Sequence, residues 1–209
     1  MTMVIAQNLG DSLIMTADRR ISNTNHLGEV IGISSDDYKK IKIINNKYII
    51  SFAGRLDVAK KAFEFIDEKI NTINNYMDPH LFFKKAFNYG KEYYEENFPG
   101  EPLSVFYLGY LKQKEPKLIG FSSDDNYNGI EVKGTIKRNS KSLDDGKIFI
   151  NETIDFINDE ISRRQHYYKF PRNLAELFSK AIKRVDDVMI GDTTYSVVLS
   201  QNGIEEYYH

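Results

Sequence analysis

Short runs of β-branched and aromatic residues, bounded by Gly, Asn and Asp, open and close this chain, and between them apolar residues recur at helical spacing. Val4 to Leu9 and Ser12 to Asp18 read as a hairpin about Gly10-Asp11. Tyr38 to Ile44 and Tyr48 to Ala53 read as a second, about Asn45-Asn46-Lys47, where asparagine tolerates left-handed backbone. Asp57 then opens a helix with Val58, Ala62, Phe65, Ile66, Ile70 and Ile73 on one stripe. Asp78-Pro79, a capping carboxylate followed by proline in the first turn, opens another carrying Phe83, Ala86, Phe87 and Tyr94. Strands are expected at Leu103 to Tyr110, Lys117 to Phe121 and Gly129 to Lys137. Ile150, Ile154, Ile157 and Ile161 mark a third helix, and Asn173 with Glu176 in capping-box position opens a fourth bearing Leu174, Leu177, Phe178, Ala181, Ile182 and Val185. Tyr195 to Leu199 and Ile204 to Tyr208 close the chain about Gln201-Asn202-Gly203.

Strands, two helices, strands, two helices, strands: each helix pair is amphipathic and each sheet needs cover. The simplest packing is an α+β, four-layer α-β-β-α sandwich, two antiparallel sheets face to face with helices on both outsides. Residues 1–209 are expected to form a single domain. Arg19 to Asp37, with Asn23-Thr24-Asn25, His26, Gly28, Gly32 and Ser34-Ser35-Asp36-Asp37, is polar and reads as a long surface excursion.

Composition narrows the chemistry. Lys and Arg number 28 against 30 Asp and Glu, so no net positive field favours nucleic acid or an anionic membrane. There is no cysteine, which excludes disulfides, a thiol nucleophile and thiolate metal sites. Neither a leader before Thr2 nor an apolar run of bilayer length is visible, so a cytoplasmic protein with no membrane association is expected. No metal or cofactor is called for. Reactivity falls to hydroxyl, amine, carboxylate or imidazole.

Thr2 supplies the first two of these in one residue. If Met1 is removed, the threonine hydroxyl sits beside a free α-amine, which titrates near about pH 8 and can accept the hydroxyl proton. The first hairpin brings Asp18 beside the start of its first strand. In Lys39-Lys40-Ile41-Lys42-Ile43, alternation sets Ile41 and Ile43 on one face and Lys40 and Lys42 on the other. A lysine projecting towards such a nucleophile lowers the pKa of the amine and hydroxyl, and an opposing aspartate orients it. Gly54, ending an apolar strand before a helix, leaves backbone N–H groups of a tight turn free to bind an oxyanion.

Thr2, the Asp18-Arg19-Arg20 pattern, the paired lysines Lys39-Lys40 and Ile49-Ile50-Ser51-Phe52-Ala53-Gly54, in that order and spacing, resemble the β-subunits of proteasomes and their bacterial relatives among the N-terminal nucleophile hydrolases. The resemblance covers the first quarter of the chain in motifs and the remainder in element order. It implies the same four-layer fold and peptide-bond hydrolysis through an acyl-enzyme. Thr2 would be nucleophile and base, Gly54 the oxyanion donor, Lys40 the tuning cation and Asp18 its orienting partner. A counting from Gly54 favours Lys40 over Lys39. Ser140, in Arg138-Asn139-Ser140-Lys141-Ser142, and Asp187, in Asp186-Asp187-Val188, correspond to the family's supporting serine and aspartate. The glycine-flanked serine motif usual at the first is missing, and Gly191-Asp192-Thr193-Thr194 replaces the glycine-rich stretch after the second. By position, Arg20, Ile21, Ser22, Tyr38, Phe52 and Leu56 would bind substrate.

The resemblance further implies a peptide or unfolded-protein substrate, a homo-oligomeric ring or stack, and an ATP-dependent unfoldase as a further partner. Two other readings share the fold: an N-terminal nucleophile amidase acting on a small amide, and a catalytically silent scaffold.

Overall fold

Turn chemistry fixes where the strands end. The computed structural model describes residues 2–24, 30–72, 78–138 and 143–209; Met1, Asn25, His26, Gly28, Ile73 and Ser140 lie outside them. β1 (Met3–Asn8) and β2 (Ser12–Asp18) reverse where Gly10 takes a φ of +93° and donates its N–H to Asn8 Oδ1. After β3 (Ile21–Thr24) and β4 (Val30–Ser35), β5 (Ile41–Ile44) and β6 (Tyr48–Gly54) reverse at Asn45 and Asn46, both at φ +51°. Positive φ at both central residues is the geometry that matches hairpin twist. The helical pair α1 (Leu56–Lys69) and α2 (Pro79–Asn97) follows, α2 capped by Asp78 Oδ1 accepting the His80 N–H at 3.0 Å. Then come β7 (Ser104–Lys112), β8 (Glu115–Ser122), β9 (Ile130–Glu131), β10 (Gly134–Arg138), α3 (Leu143–Arg163), α4 (Pro171–Lys183), β11 (Thr194–Ser200) and β12 (Gly203–Tyr208).

The strands form two antiparallel five-stranded sheets, β10-β1-β2-β11-β12 and β5-β6-β7-β8-β9. Side-chain alternation sorts their residues into three apolar layers. Val4, Leu13, Met15, Ile49, Leu118 and Val197 fill the space between the sheets. Met3, Ile14 and Val198 turn instead towards Leu177, Phe178 and Ile182 of α4. On the far side Phe52 and Phe106 meet Phe83 and Phe87 of α2, with Phe87 and Phe106 stacked at 4.0 Å. The architecture is the α-β-β-α sandwich expected. β2, central in its sheet, is buried along its whole length. No helix among the described residues is long and apolar enough to cross a membrane.

Several boundaries differ from the sequence expectation. Gly129 to Lys137 is two strands: Val132 N–H makes a bond to Leu118 O of β8, and Lys133 O already accepts from Asn8 N–H in the other sheet. The chain changes sheets within two residues, and an uninterrupted β-rich composition gives no sign of it. The polar excursion after Arg19 contains a separate two-stranded ribbon, β3-β4, whose register shifts twice and so erases the period-two pattern. α4 begins at Pro171 with Phe170 as N-cap and no side-chain cap. Asn173 and Glu176 are not a capping box: Asn173 Nδ2 donates to Tyr167 O at 2.6 Å, and Glu176 pairs with Lys180. Proline at the first helical position, where the N–H is unused, was the operative start signal. α1 likewise starts one residue early, at Leu56, and the strand expected from Tyr38 enters the ladder only at Ile41.

Candidate active site

Two hairpins, one from each sheet, end at the same place. Val4 lies opposite Ala17, which sets Met3 opposite Asp18. Asp18 Oδ1 accepts the Met3 N–H at 2.8 Å, the amide that joins Thr2 to β1. Its other oxygen, Oδ2, accepts from Lys40 Nζ at 2.7 Å, from Arg20 N–H at 3.1 Å and, at 3.4 Å, from Gly191 N–H. One carboxylate therefore holds the backbone beside Thr2 with one oxygen and Lys40 with the other. Thr2 itself is 3% exposed.

The Asp18 and Lys40 side chains are both 0% exposed. Withdrawing two charges from water is costly, and the additional N–H donors on Asp18 offset part of that cost. Burial moves the Lys40 pKa below the ordinary lysine value; Asp18 opposes that shift and the nearby Arg20 charge adds to it. Of the adjacent lysines, Lys40 is the one that turns inward. Lys39 turns outward, 3.3 Å from Glu206 of β12. Lys42 is on the α1 side, paired with Asp67.

Gly54 sits at φ +115°, and a Cβ there would come within 2.2 Å of Leu103 O. No side chain fits. Arg55 N–H donates to Leu103 O and Phe52 N–H to Lys40 O. Because bonded and non-bonded pairs alternate in an antiparallel ladder, the intervening Gly54 N–H is sent away from β7, to the side of Lys40 and just past the last bond there.

The other site candidates are distributed around this point. Asp187 shapes a turn, its Oδ1 accepting from Met189 N–H at 2.8 Å and its carbonyl from Ile190 N–H at 2.9 Å; that turn delivers Gly191 to Asp18. Ser140 falls outside the described residues. The Arg20 guanidinium is engaged within the protein, Nε at 2.6 Å from Asp36 and Nη1 on the carbonyls of Val188 and Ile190. Ile21 and Ser22 lead away along β3, with Ser22 Oγ buried and without a hydrogen-bond partner among the described residues. Phe52, 1% exposed and directly across from Lys40, packs on Phe63 and meets the Tyr38 ring edge-on at 6.2 Å. Leu56 packs partly buried against the same cluster.

In the sequence Gly191 stood out only as the start of the stretch that replaces the family's glycine-rich one, with no sign of its N–H reaching Asp18. A Cβ there would meet Arg20 Cβ at 2.9 Å. Arg19, Glu206 and Tyr208, which flank the buried pair on its outer side, carried no local signal because their contacts span most of the chain.

No protein-family model matches the sequence, and no curated protein matches it. Among solved structures, a Gly-1 mutant of Anbu from Hyphomicrobium sp. strain MC1 superposes with a TM-score of 0.67 at 15% identity, over 100% of this chain and 87% of that one. The fold is similar to that of Anbu. At this identity the likeness is one of architecture: two antiparallel sheets between helix pairs. Roles for single residues have to be argued from the geometry above.

Proposed function

We propose that this protein is an N-terminal threonine peptidase of the proteasome-like type, a single domain that hydrolyses peptide bonds within a self-compartmentalised homo-oligomer. The reading is carried by one observation: Asp18 holds the Thr2–Met3 amide through Oδ1 and the Lys40 ammonium through Oδ2. A carboxylate used in this way fixes backbone and cation relative to each other, which is what an activated hydroxyl at residue 2 requires. The Anbu-like architecture is consistent with a peptidase scaffold.

In the proposed mechanism, removal of Met1 frees the Thr2 amine. That amine takes the Oγ proton as Oγ attacks the peptide carbonyl, and the Gly54 N–H receives the charge developing on the carbonyl oxygen. The C–N bond then breaks, with the proton passing from the amine to the leaving nitrogen, and water hydrolyses the acyl-threonine by the reverse proton route. Lys40, held by Asp18, contributes positive charge that lowers the pKa of amine and hydroxyl. Asp187 supports the site through its turn. Tyr38 and Leu56, partly buried against the cluster that holds Phe52, offer an apolar surface for the side chain on the acyl side of the cleaved bond. Filling it contributes about 1.5 to 3 kcal/mol by burial.

The test uses purified protein whose intact mass shows residue 2 as the first. Fluorogenic peptides differing at the acyl-side position should be cleaved fastest after Leu, Phe or Tyr. Thr2→Ala should abolish turnover and leave the circular dichroism spectrum unchanged. Hydrolysis by protein that retains Met1 would overturn the mechanism, and turnover of small amides with none of any peptide would replace the peptidase reading by an amidase.

A further inference from the structure

Lys39 and Lys40 carry the same side chain, so the inward-facing Asp18 carboxylate cannot by its chemistry alone select one over the other. A strand displaced by one residue would offer it Lys39. The intersheet packing of Ile41 opposes that slip. A second discrimination is visible on the outer side of the same segment, at the last strand of the protein.

Lys39 Nζ lies over two rings, 4.8 Å from the centroid of Tyr195 and 5.1 Å from that of Tyr208, and 3.3 Å from Glu206 Oε2. Arg19, the neighbour in sequence of Asp18, places its guanidinium carbon 5.6 Å from the centroid of the same Tyr208 ring. Glu206 also accepts from the hydroxyls of Tyr195 and Tyr208, at 2.5 and 3.3 Å. Tyr195 and Tyr208 are cross-strand partners, and their rings are 5.0 Å apart. The two residues of the buried pair therefore each have a basic neighbour in the chain, and both neighbours meet at Tyr208. The segments are also tied directly: Tyr38 N–H donates to Arg19 O, and Arg19 Nη2 donates to Asp37 O. Successive side chains of an extended segment point to opposite sides. Holding Arg19 and Lys39 outward consequently turns Asp18 and Lys40 inward.

We infer that Tyr208 and Glu206 of the C-terminal strand are positioning residues for the Asp18–Lys40 pair, acting through Arg19 and Lys39 to select which lysine is buried. The assignment rests on the pair serving the Thr2 site as proposed above. Tyr208 provides an electron-rich face for two cations, and Glu206 supplies the charge that makes the outer environment better for Lys39 than the inner one.

The experiment labels the lysines of the full chain with 15N and follows the side-chain nitrogen titration of Lys40, assigned from its loss in Lys40→Arg. Kinetics on a fluorogenic peptide are measured in parallel. Tyr208→Ala and Glu206→Gln should each move the Lys40 titration up towards that of an ordinary lysine, by about one pH unit, and lower kcat about tenfold with KM changed less than about twofold. Tyr208→Phe, which keeps the ring, should restore both. Tyr207→Ala, on the opposite face of the same strand against the α4 core, serves as a control that can lower thermal stability without moving the titration. An unmoved Lys40 titration in Tyr208→Ala and Glu206→Gln would overturn the inference, as would Tyr208→Phe behaving like Tyr208→Ala. The titration reads positioning without any turnover, so it decides the matter even if the wild-type protein cleaves no peptide and the peptidase reading itself fails.

Discussion

Two of the polar clusters sealed inside this molecule are built on opposite principles. At one, Asp18 and Lys40 are both fully buried and both charged, and the carboxylate gathers several N–H donors around it. At the other, Tyr127, also 0% exposed, shares a 2.5 Å hydroxyl bond with Ser104, whose own N–H goes to Ser123 Oγ and whose Oγ reaches Pro102 O. The second cluster is neutral, and each hydroxyl finds a partner within the loop that closes over the aromatic core. Folding alone accounts for it. A charged pair costs far more to bury than a hydroxyl pair and adds little net stability over an apolar replacement. Its presence beside Thr2 points to chemistry.

The largest effect should come from splitting the charged pair. Lys40→Ala or Asp18→Ala leaves one buried charge without its partner, and urea unfolding should report a loss of about 3 to 5 kcal/mol. Hydrolysis should fall by orders of magnitude. The double replacement Asp18→Leu with Lys40→Met should recover most of that stability and none of the activity. Full recovery of activity by the double variant would erase the contrast between the clusters.

A smaller effect is expected from Tyr127→Phe, which should cost about 1 to 2 kcal/mol by leaving the Ser104 hydroxyl with one partner fewer. Its pH signature is distinctive. Burial holds the Tyr127 pKa up to about 12 from an ordinary 10.0. Between those values the unfolded chain releases the proton and the folded chain retains it, so the contribution is complete below pH 10 and is lost as pH rises through 12, at up to about 1.4 kcal/mol per pH unit. Denaturation curves from pH 9 to 12 should therefore fall more steeply for wild type than for Tyr127→Phe. Parallel curves would place the phenol outside the core.

The smallest effect belongs to a third, half-exposed pair. Lys42 bonds Asp67 on α1 and lies 5.3 Å from the Phe63 centroid. Lys42→Ala should cost about 1 kcal/mol or less, in a salt-dependent way, and leave turnover unchanged. A turnover loss as large as that of Lys40→Ala would mean that position on the strand, and not burial with Asp18, is what matters.

What could be read from the sequence follows from how local each signal is. Gly10, the Asn45-Asn46 pair, Asp78-Pro79 and Gly203 act on their own backbone, and the elements they bound were found. The apolar stripe of α1 is equally local and gave the helix face, whereas the inward lysine was chosen by counting back from Gly54, since alternation alone sets Lys40 and Lys42 on the same face. The β9-to-β10 change of sheets could not be read, because each half is ordinary strand sequence and only the partner changes. Nor could the outer partners of Arg19 and Lys39, since the Lys39–Glu206 contact joins residues 167 positions apart. The start of α4 was misread for a different reason: Asn173 and Glu176 have the right spacing for a cap, but Pro171 had already fixed the backbone of that turn.

The order of strands in the first sheet has a consequence for how the protein is made. β1 and β2, the first strands of the fold, are completed by β11 and β12, which are synthesised after its other described strands and helices. β11 pairs along the whole of β2, from Ser12 to Asp18. Until residues 191 to 209 have left the ribosome, the open edge of β2 is unpaired and Asp18 lacks the Gly191 N–H. Domains generally fold as they emerge, amino end first, but here the earliest strands must wait for the latest. Thr2 is therefore translated well before the residues that complete its surroundings, so a chain cut short before Gly191 would carry Thr2 without the N–H that Gly191 gives Asp18 and without β11 along β2.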